Sequence, residues 1–173
     1  MPVRTARPSD VQALAALNAV VQHLHHVALP QQFKAPDGSA VEAYLAERLA
    51  KPETVALVAE DWGGTAVGYA LGEVLDVQES ALKWAGRLMH VQHIAVEPSE
   101  ARKGWGTALM DAIEGEGARR GADEVRLDYW SFNERARRFF TALGYEPYNV
   151  RATKVLRPER RFRPTSADPA HSQ

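Results

Sequence analysis

The chain has 173 residues, of which 45% are hydrophobic, and its formal net charge is −1. This is enough for one domain with a buried core and short for two, and the near-zero charge gives no reason to expect nucleic-acid binding. No window approaches the roughly 18 apolar residues of a membrane span, and the N-terminal letters M-P-V-R-T-A-R lack the apolar core of a signal peptide, so we expect a cytoplasmic protein that binds no membrane.

The first fifty residues predict one short strand and two helices. Residues 3–7 read as a strand, and residues 8–10 begin a helix whose apolar positions recur at helical spacing, at Val11, Leu14, Leu17, Val20 and Val21. Residues 22–39 break this pattern with three histidines, two prolines and a glycine, which is typical of a loop or broken helix near the mouth of a site. A second helix is predicted for residues 40–50.

The remaining chain alternates apolar strand patterns with helices. Residues 54–60 and 66–74 predict a hairpin, because a turn with two glycines separates them. The elements predicted after it are a strand at 87–96, a helix at 105–120, a strand at 124–130, a helix from Asn133 to Gly144 and a final strand at 145–156. Residues 157–173 are polar and proline-rich, so we expect a flexible tail or one held by a partner subunit.

A glycine loop joins the strand at 87–96 to the next helix. From Glu100 to Ala108 it reads E-A-R-K-G-W-G-T-A. A helix N-terminus presents backbone N–H groups and the positive end of a dipole, so the loop predicts an anion site. A dinucleotide fingerprint would need a small residue where Leu109 stands, and a P-loop would need its lysine after the glycines, whereas Lys103 precedes them.

Together with the I-A-V segment before it and Asn133 and Ala136 after it, the loop resembles the pyrophosphate loop of the GCN5-related N-acetyltransferases, over residues 1–156. That family reads Gln/Arg-x-x-Gly-x-Gly/Ala; here Ala101 takes the first position, so Arg102 or Lys103 would supply the charge. The resemblance implies an α+β fold of order β-α-α-β-β-β-α-β-α-β, with a mixed, mostly antiparallel sheet and helices on both faces. It is also compatible with a homodimer joined through the final strand and tail.

The resemblance implies that acetyl-CoA binds as a co-substrate where the strands on either side of the loop part. Its pantetheine arm would bond the backbone of Ile94, Ala95 and Val96. Its other contacts would come from Arg102, Lys103, Gly104, Trp105, Gly106, Thr107, Asn133, Ala136 and Phe140. Asn133 could instead serve only as a helix cap, and Trp105 could simply pack in the core.

Acetyl transfer to an amine needs a group that takes the amine's proton. In the resembling family a base stands five residues before the alanine of the I-A-V segment, which is His90 here, and a histidine with its ordinary pKa of about 6.5 suits the role. Strand alternation predicts His90, Gln92 and Ile94 on one face and His93 on the other. A structural role for His90 is the alternative, and Glu73 is the reserve candidate, as a base or as a carboxylate that attracts a cationic substrate.

The family's expected general acid is absent. A tyrosine often follows the phenylalanine of its Asn-x-x-Ala-x-x-Phe-Tyr segment, but here Phe140 follows Phe139. Either the thiolate would leave without a side-chain acid, or its proton would come from water, Tyr129 or Tyr148. Since the chain has no cysteine, an acyl-cysteine intermediate is excluded and direct attack in a ternary complex is expected.

The segment at 22–39 resembles the family's variable substrate-covering region and suggests His23, His26 and Phe33 as substrate contacts. His23 and His26 could share a helical face, but no spacing marks further ligands, so no metal is expected. The predicted function is acetyl transfer from acetyl-CoA to a primary amine of a small molecule or peptide. The alternative is a non-catalytic acyl-CoA-binding or regulatory module, favoured by Phe140 and Ala101.

Overall fold

The computed structural model describes residues 1–156, and the predicted tail at 157–173 lies outside the described residues. The elements in chain order are β1 (Val3–Thr5), α1 (Val11–Ala28), α2 (Gly38–Leu49), β2 (Thr54–Glu60), β3 (Ala66–Val77), β4 (Gly86–Val96), α3 (Trp105–Arg119), β5 (Glu124–Leu127) and α4 (Glu134–Ala142). Short 3-10 turns at Pro8–Asp10 and Pro98–Glu100 precede α1 and the glycine loop.

The strands form one sheet in sequence order, β1-β2-β3-β4-β5. The first three pairings are antiparallel and the β4–β5 pairing is parallel. A parallel pair needs a crossover, and here α3 supplies it. The predicted fold class, a mixed and mostly antiparallel sheet with helices, is confirmed.

Each face of the sheet is covered by its own hydrophobic cluster. On one face α1 and α2 bury Leu14, Leu17 and Leu45 against β2, β3 and β4. On the other, α3 and α4 bury Leu109, Met110, Ile113 and Phe140 against the same strands. Because both faces are buried, β2 is buried at all five of its central positions, which explains its unbroken apolar pattern.

A β-bulge interrupts β4 at Gln92. Leu71 pairs with His93, but the next residue, Gly72, pairs with Val91, so Gln92 is an extra residue. Before the bulge Met89 and Val91 belong to the cluster around α3, and after it Ile94 and Val96 pack there. The predicted alternation is therefore wrong for two residues: Ile94 faces α3, and His93 lies on the same face as His90, toward α1 and α2.

The predicted loop or broken helix at residues 22–39 is wrong for residues 22–28, because α1 continues to Ala28, whereas residues 29–37 do form a loop before α2. Neither glycine nor proline occurs between Val11 and Leu29, so nothing in the segment interrupts the helix, and His25 and His26 stand in its last turn. The helix ends just before Pro30, as the steric effect of proline on the preceding residue requires.

The predicted final strand at 145–156 is wrong for this chain, since the described residues there form no strand. The chain leaving α4 is held at Tyr145, whose N–H donates to the Phe140 carbonyl at 3.0 Å and whose hydroxyl donates to Glu114 at 2.7 Å. Pro147 then lacks a backbone donor. The strand predicted at 124–130 also ends early, at Leu127.

We expect Gly72→Ala to lower the free energy of unfolding by about 1–3 kcal/mol, because its Cβ would overpack the bulge. That Cβ would lie 2.9 Å from both the His90 carbonyl oxygen and Met89 Sδ. Gly115→Ala is the matched control: a Cβ there meets nothing within 4 Å, so helix propensity should stabilise the protein by up to about 1 kcal/mol. Urea unfolding of both variants measures this; equal effects would contradict the close approach at Gly72.

Candidate active site

β4 and β5 separate toward the end of β4 that leads into the glycine loop. Their last pair is Val91 with Leu127, while β4 continues through Val96. Within residues 1–156 no strand other than β3 pairs with this end of β4, so its outer backbone edge is open. The structure therefore contains a gap beside Ile94, Ala95 and Val96, bordered by donors and acceptors of the backbone.

Aromatic packing draws the chain away from the sheet after β5. Tyr129 stacks on Phe140 of α4, with ring centroids 6.0 Å apart. Trp130 contacts Phe33 edge-on at 5.0 Å and stacks with Phe132 at 6.3 Å. These contacts hold residues 129–132 off the line of β5 and so keep the gap open.

The glycine loop turns through two left-handed residues. Arg102 has φ of 64° and Gly104 has φ of 93°, and α3 begins at the next residue, Trp105. The glycine also makes room for Met1, whose Cε would lie 2.7 Å from a Cβ at this position. The loop thus delivers the first amides of α3 at a sharp turn, as predicted for an anion site.

Glu100 organises the side chains of the loop. Its carboxylate accepts from Lys103 Nζ at 2.7 Å and from Trp105 Nε1 at 3.1 Å, and these hydrogen bonds lower the pKa of Glu100. Trp105 is buried, so it does pack in the core. Because Lys103 is engaged and Arg102 is exposed, Arg102 is the better placed of the two cations to meet an anion.

The second glycine of the loop serves helix packing. A Cβ at Gly106 would lie 3.1 Å from Cζ of Phe139, so the bare backbone lets α4 approach α3. Thr107 is exposed on the first turn of α3. A cavity of about 470 Å³ lies beside the loop, lined by Met1, Asp61, Trp62, Gly63, Glu100, Lys103 and Trp105; neither His90 nor Glu73 lines it.

Asn133 and Phe140 both have structural roles in α4. Asn133 Oδ1 accepts from the Ala136 N–H at 3.0 Å and thereby caps the helix. Phe140 is buried and stands where the family has its tyrosine; it stacks on Tyr129, with ring centroids 6.0 Å apart, and meets Tyr145 edge-on at 5.9 Å. Tyr148 is 70% exposed and lies under the Arg126 guanidinium, 5.0 Å from it.

His90 contacts a carboxylate across the gap. Its Nε2 lies 3.2 Å from Oδ2 of Asp128, the residue that follows β5. If the neutral ring donates from Nε2, its Nδ1 keeps a lone pair that can accept a proton. A histidine paired with a carboxylate in this way has the chemistry of a base and a group that orients it.

Glu73 is held by two neighbours. Arg48 of α2 donates to one oxygen at 3.2 Å, and Gln92 donates to the other at 2.6 Å. Arg48 also donates to Gln92 at 3.1 Å, which closes a ring of three side chains. Since its charge is balanced by Arg48, Glu73 is less suited than His90 to accept a proton.

His93 joins this face through a buried hydrogen-bonded chain. Its Nδ1 lies 3.2 Å from the Tyr69 hydroxyl, which accepts from Asn18 Nδ2 of α1 at 2.8 Å. Burial raises the pKa of the Tyr69 phenol far above its ordinary value. Burial also lowers the pKa of His93 to about 4, with smaller contributions from Arg48 and His25, so His93 is neutral near pH 7.

The histidines of α1 divide between packing and solvent. His25 packs on Phe33 with centroids 4.9 Å apart and lies edge-on to Phe132 at 6.0 Å. His26 Nδ1 lies 2.8 Å from the Phe33 carbonyl oxygen, and His23 is exposed. Phe33 thus contacts Trp130, which lies beside the gap, and His25, which the sequence did not single out, packs on the same Phe33 ring.

Sequence reasoning missed Asp128, Arg48 and the chain from Asn18 through Tyr69 to His93. Two adjacent polar residues, Gln92 and His93, in an otherwise alternating apolar strand were the available signal for the bulge. The other partners come from distant segments and carry no local signal.

Within residues 1–156, no group of three or more His, Asp or Glu side chains is arranged to hold a metal ion. Of the helices in that part of the chain, none is both long and apolar enough to cross a bilayer.

Solved structures share this architecture. The protein BH1408 from Bacillus halodurans, as a tetramutant, superposes with a TM-score of 0.86 at 20% identity, covering 90% of this chain and 100% of that one. An acetyltransferase from Vibrio fischeri gives 0.61 at 23%, covering 75% and 97%. The aminoglycoside N-acetyltransferase AAC(6′)-Iy, in complex with CoA, gives 0.72 at 18%, covering 90% and 94%. At these identities the likeness shows a shared fold.

No curated protein sequence is matched by this chain. The model of the Acetyltransferase (GNAT) family matches residues 20–145, a span that contains the bulge, the gap between β4 and β5, the glycine loop and α4. On this match over most of its length, the chain belongs to the acetyltransferase (GNAT) family.

Proposed function

We propose that this protein transfers an acetyl group from acetyl-CoA to a primary amine of a small molecule or peptide, by direct attack within a ternary complex. The observation that carries the proposal is the gap where β5 leaves β4, with a His90–Asp128 pair at its head and the glycine loop at the start of α3. AAC(6′)-Iy, which has this fold, has been crystallised with CoA and with the bisubstrate analog CoA-S-monomethyl-acetylneamine, which supports the same pairing of substrates here.

The open edge of β4 fits an extended amide-bearing chain. Pantetheine carries two amides, and the backbone of Ile94, Ala95 and Val96 offers the hydrogen bonds of a missing strand. The pyrophosphate would meet the loop amides and the exposed Arg102. Asn133, Ala136 and Phe140 would border the cofactor from α4, with Asn133 Oδ1 committed to its cap.

His90 is the proposed base. The attacking amine must lose a proton as its nitrogen bonds to the thioester carbon, and Nδ1 of His90 can receive it while Asp128 holds Nε2. Exposed Asp128 also gives a negative charge that favours a cationic amine at the gap. Glu73 is proposed to fix Arg48 and Gln92 rather than to take the proton.

Protonation of the leaving thiolate is proposed to come from Tyr129 or water. Phe140 has no proton to donate, and Tyr129 stacks on it, whereas Tyr148 is largely exposed. His26 and Phe33 are proposed to border the acceptor, with His23 further out on the exposed face of α1.

We expect His90→Ala to reduce kcat by about 100-fold or more, since it removes the proton acceptor. Glu73→Gln should have a smaller effect, and Glu47→Gln is the control, because Glu47 is an exposed carboxylate of α2 that pairs with Lys51. Thiol release from acetyl-CoA, measured under saturating amine after a mass-spectrometric screen for acceptors, gives the rates. Unchanged turnover in His90→Ala would refute the assignment of the base, and unchanged turnover in the Glu73 variant as well would exclude both candidates.

The same assay tests the proposal against its alternative. Tight CoA binding by the wild-type protein without product from a broad amine panel would leave a non-catalytic acyl-CoA-binding module, which Phe140 and Ala101 favour.

We expect Arg102→Ala to weaken CoA binding about 10- to 100-fold, because a hydrogen bond to a charged group is worth about 1.5–3 kcal/mol. Lys103→Ala should cost less, since Lys103 is paired with Glu100. Arg119→Ala is the control, an exposed cation at the far end of α3 that pairs with Glu116. Calorimetry with CoA and with pantetheine, which lacks the phosphates, measures both. An equal loss toward pantetheine would contradict a phosphate contact.

A further inference from the structure

The hydrogen-bonded chain that ends at His93 fixes which ring nitrogen carries the proton. Asn18 donates to the Tyr69 oxygen, and Tyr69 is fully buried. The phenol has a single proton, and within residues 1–156 its remaining neighbour is His93 Nδ1. The hydroxyl therefore donates to Nδ1, and the neutral ring carries its proton on Nε2.

Within residues 1–156, the Nε2–H of His93 is not committed to another side chain or to the backbone. No hydrogen bond from it is found there. The buried side-chain nitrogen and oxygen atoms without a partner in this part of the chain are Thr54 Oγ1 and Arg126 Nε. Nε2 of His93 is not among these atoms, so in this part of the chain it is not a buried nitrogen left without a partner.

The position of His93 places this donor at the reacting end of the gap. His93 is the first residue of β4 after the bulge, beyond the last β4–β5 pair at Val91. The acyl-carrying arm is proposed to run along Ile94, Ala95 and Val96, and the proton acceptor is His90. The thioester must lie between the two, beside His93.

The groups around the ring keep it neutral. Arg48 and Tyr44 approach from α2, with the Tyr44 ring centroid 5.8 Å away, and His25 approaches from α1. Burial lowers the pKa of His93 to about 4, with smaller contributions from Arg48 and His25. A neutral donor does not repel a cationic amine and does not surrender its proton to it.

We infer that His93 donates from Nε2 to the thioester carbonyl oxygen and stabilises the oxyanion formed there, and that Tyr69 and Asn18 are positioning residues that hold the ring in this tautomer. The inference rests on the proposed acetyl transfer. As the amine nitrogen bonds to the carbonyl carbon, the C=O electron pair moves to the oxygen that Nε2–H faces, and the amine proton passes to His90. The pair then returns, the C–S bond breaks and the thiolate leaves.

Steady-state kinetics of the full chain test the donor. His93→Ala should lower kcat by about 100-fold, the usual loss of one oxyanion donor, with the KM values for acetyl-CoA and amine nearly unchanged. His93→Gln, which keeps an N–H, should recover part of the rate. An unchanged kcat in His93→Ala, or a loss confined to KM, would overturn the inference while leaving the proposed function intact. Absence of transfer by the wild type would defeat both.

A second readout tests the tautomer independently of rate. Multiple-bond ¹H–¹⁵N spectra should show the His93 ring, assigned by its loss in His93→Gln, protonated on Nε2. Because its pKa lies below the ordinary value, the ring should stay neutral from pH 8 down to pH 5. Protonation on Nδ1, or a titration midpoint near pH 6.5, would overturn the inference.

Tyr69→Phe tests the positioning role. It should allow the Nδ1–H tautomer to appear in the spectra and lower kcat several-fold, with the KM for acetyl-CoA preserved. Tyr145→Phe is the matched control, since it removes a hydroxyl bound to Glu114 on the opposite face of the sheet. An unchanged tautomer and kcat in Tyr69→Phe, or an equal loss in both variants, would contradict the role of Tyr69.

Discussion

The insertion of Gln92 into β4 is the constraint on which the arrangement of polar groups depends. Without it, strict alternation would turn His93 into the apolar cluster under α3 and Ile94 toward α2. The bulge is possible because Gly72 has no side chain where β3 meets it, with the His90 carbonyl 2.9 Å from the place of a Cβ. Gly72, which permits this close packing, thus determines which side chains of β4 can contact a substrate.

A second consequence of the bulge is a division of roles among the charged groups. Gln92 reaches Glu73, and Glu73 binds Arg48, so the carboxylate that might have served as a base is part of a half-buried ion pair. Removing one partner of such a pair leaves the other uncompensated. The pairing therefore ties α2 to the sheet, and the proposed proton transfer falls to His90, whose own partner, Asp128, is 75% exposed.

Local patterns predicted most elements, and contacts between distant segments account for the failures. The glycine loop, its helix and the Asn133 cap depend on neighbouring residues, so the sequence located them. The end of β5 depends on Tyr129 meeting Phe140, a contact that has no sequence signature, whereas the length of α1 follows from the absence of glycine and proline between Val11 and Leu29. Asp128 could not be predicted for the same reason, because its contact with His90 depends on where β5 ends.

The absence of a phenol at position 140 fits a site that depends on its base and oxyanion donor. A thiol with an ordinary pKa near 8.5 costs about 2 kcal/mol to ionise at pH 7, so protonating the leaving group can contribute no more than roughly that amount. One oxyanion donor contributes about 2.7–4 kcal/mol, and a general base contributes a factor of about 100 to 10,000 in rate. Phe140 meanwhile stacks on Tyr129 and so keeps β5 short. Phe140, which stands where the family has its general acid, is thus one of the residues that hold the gap open. The proposed cofactor binding and acetyl transfer both require that open gap.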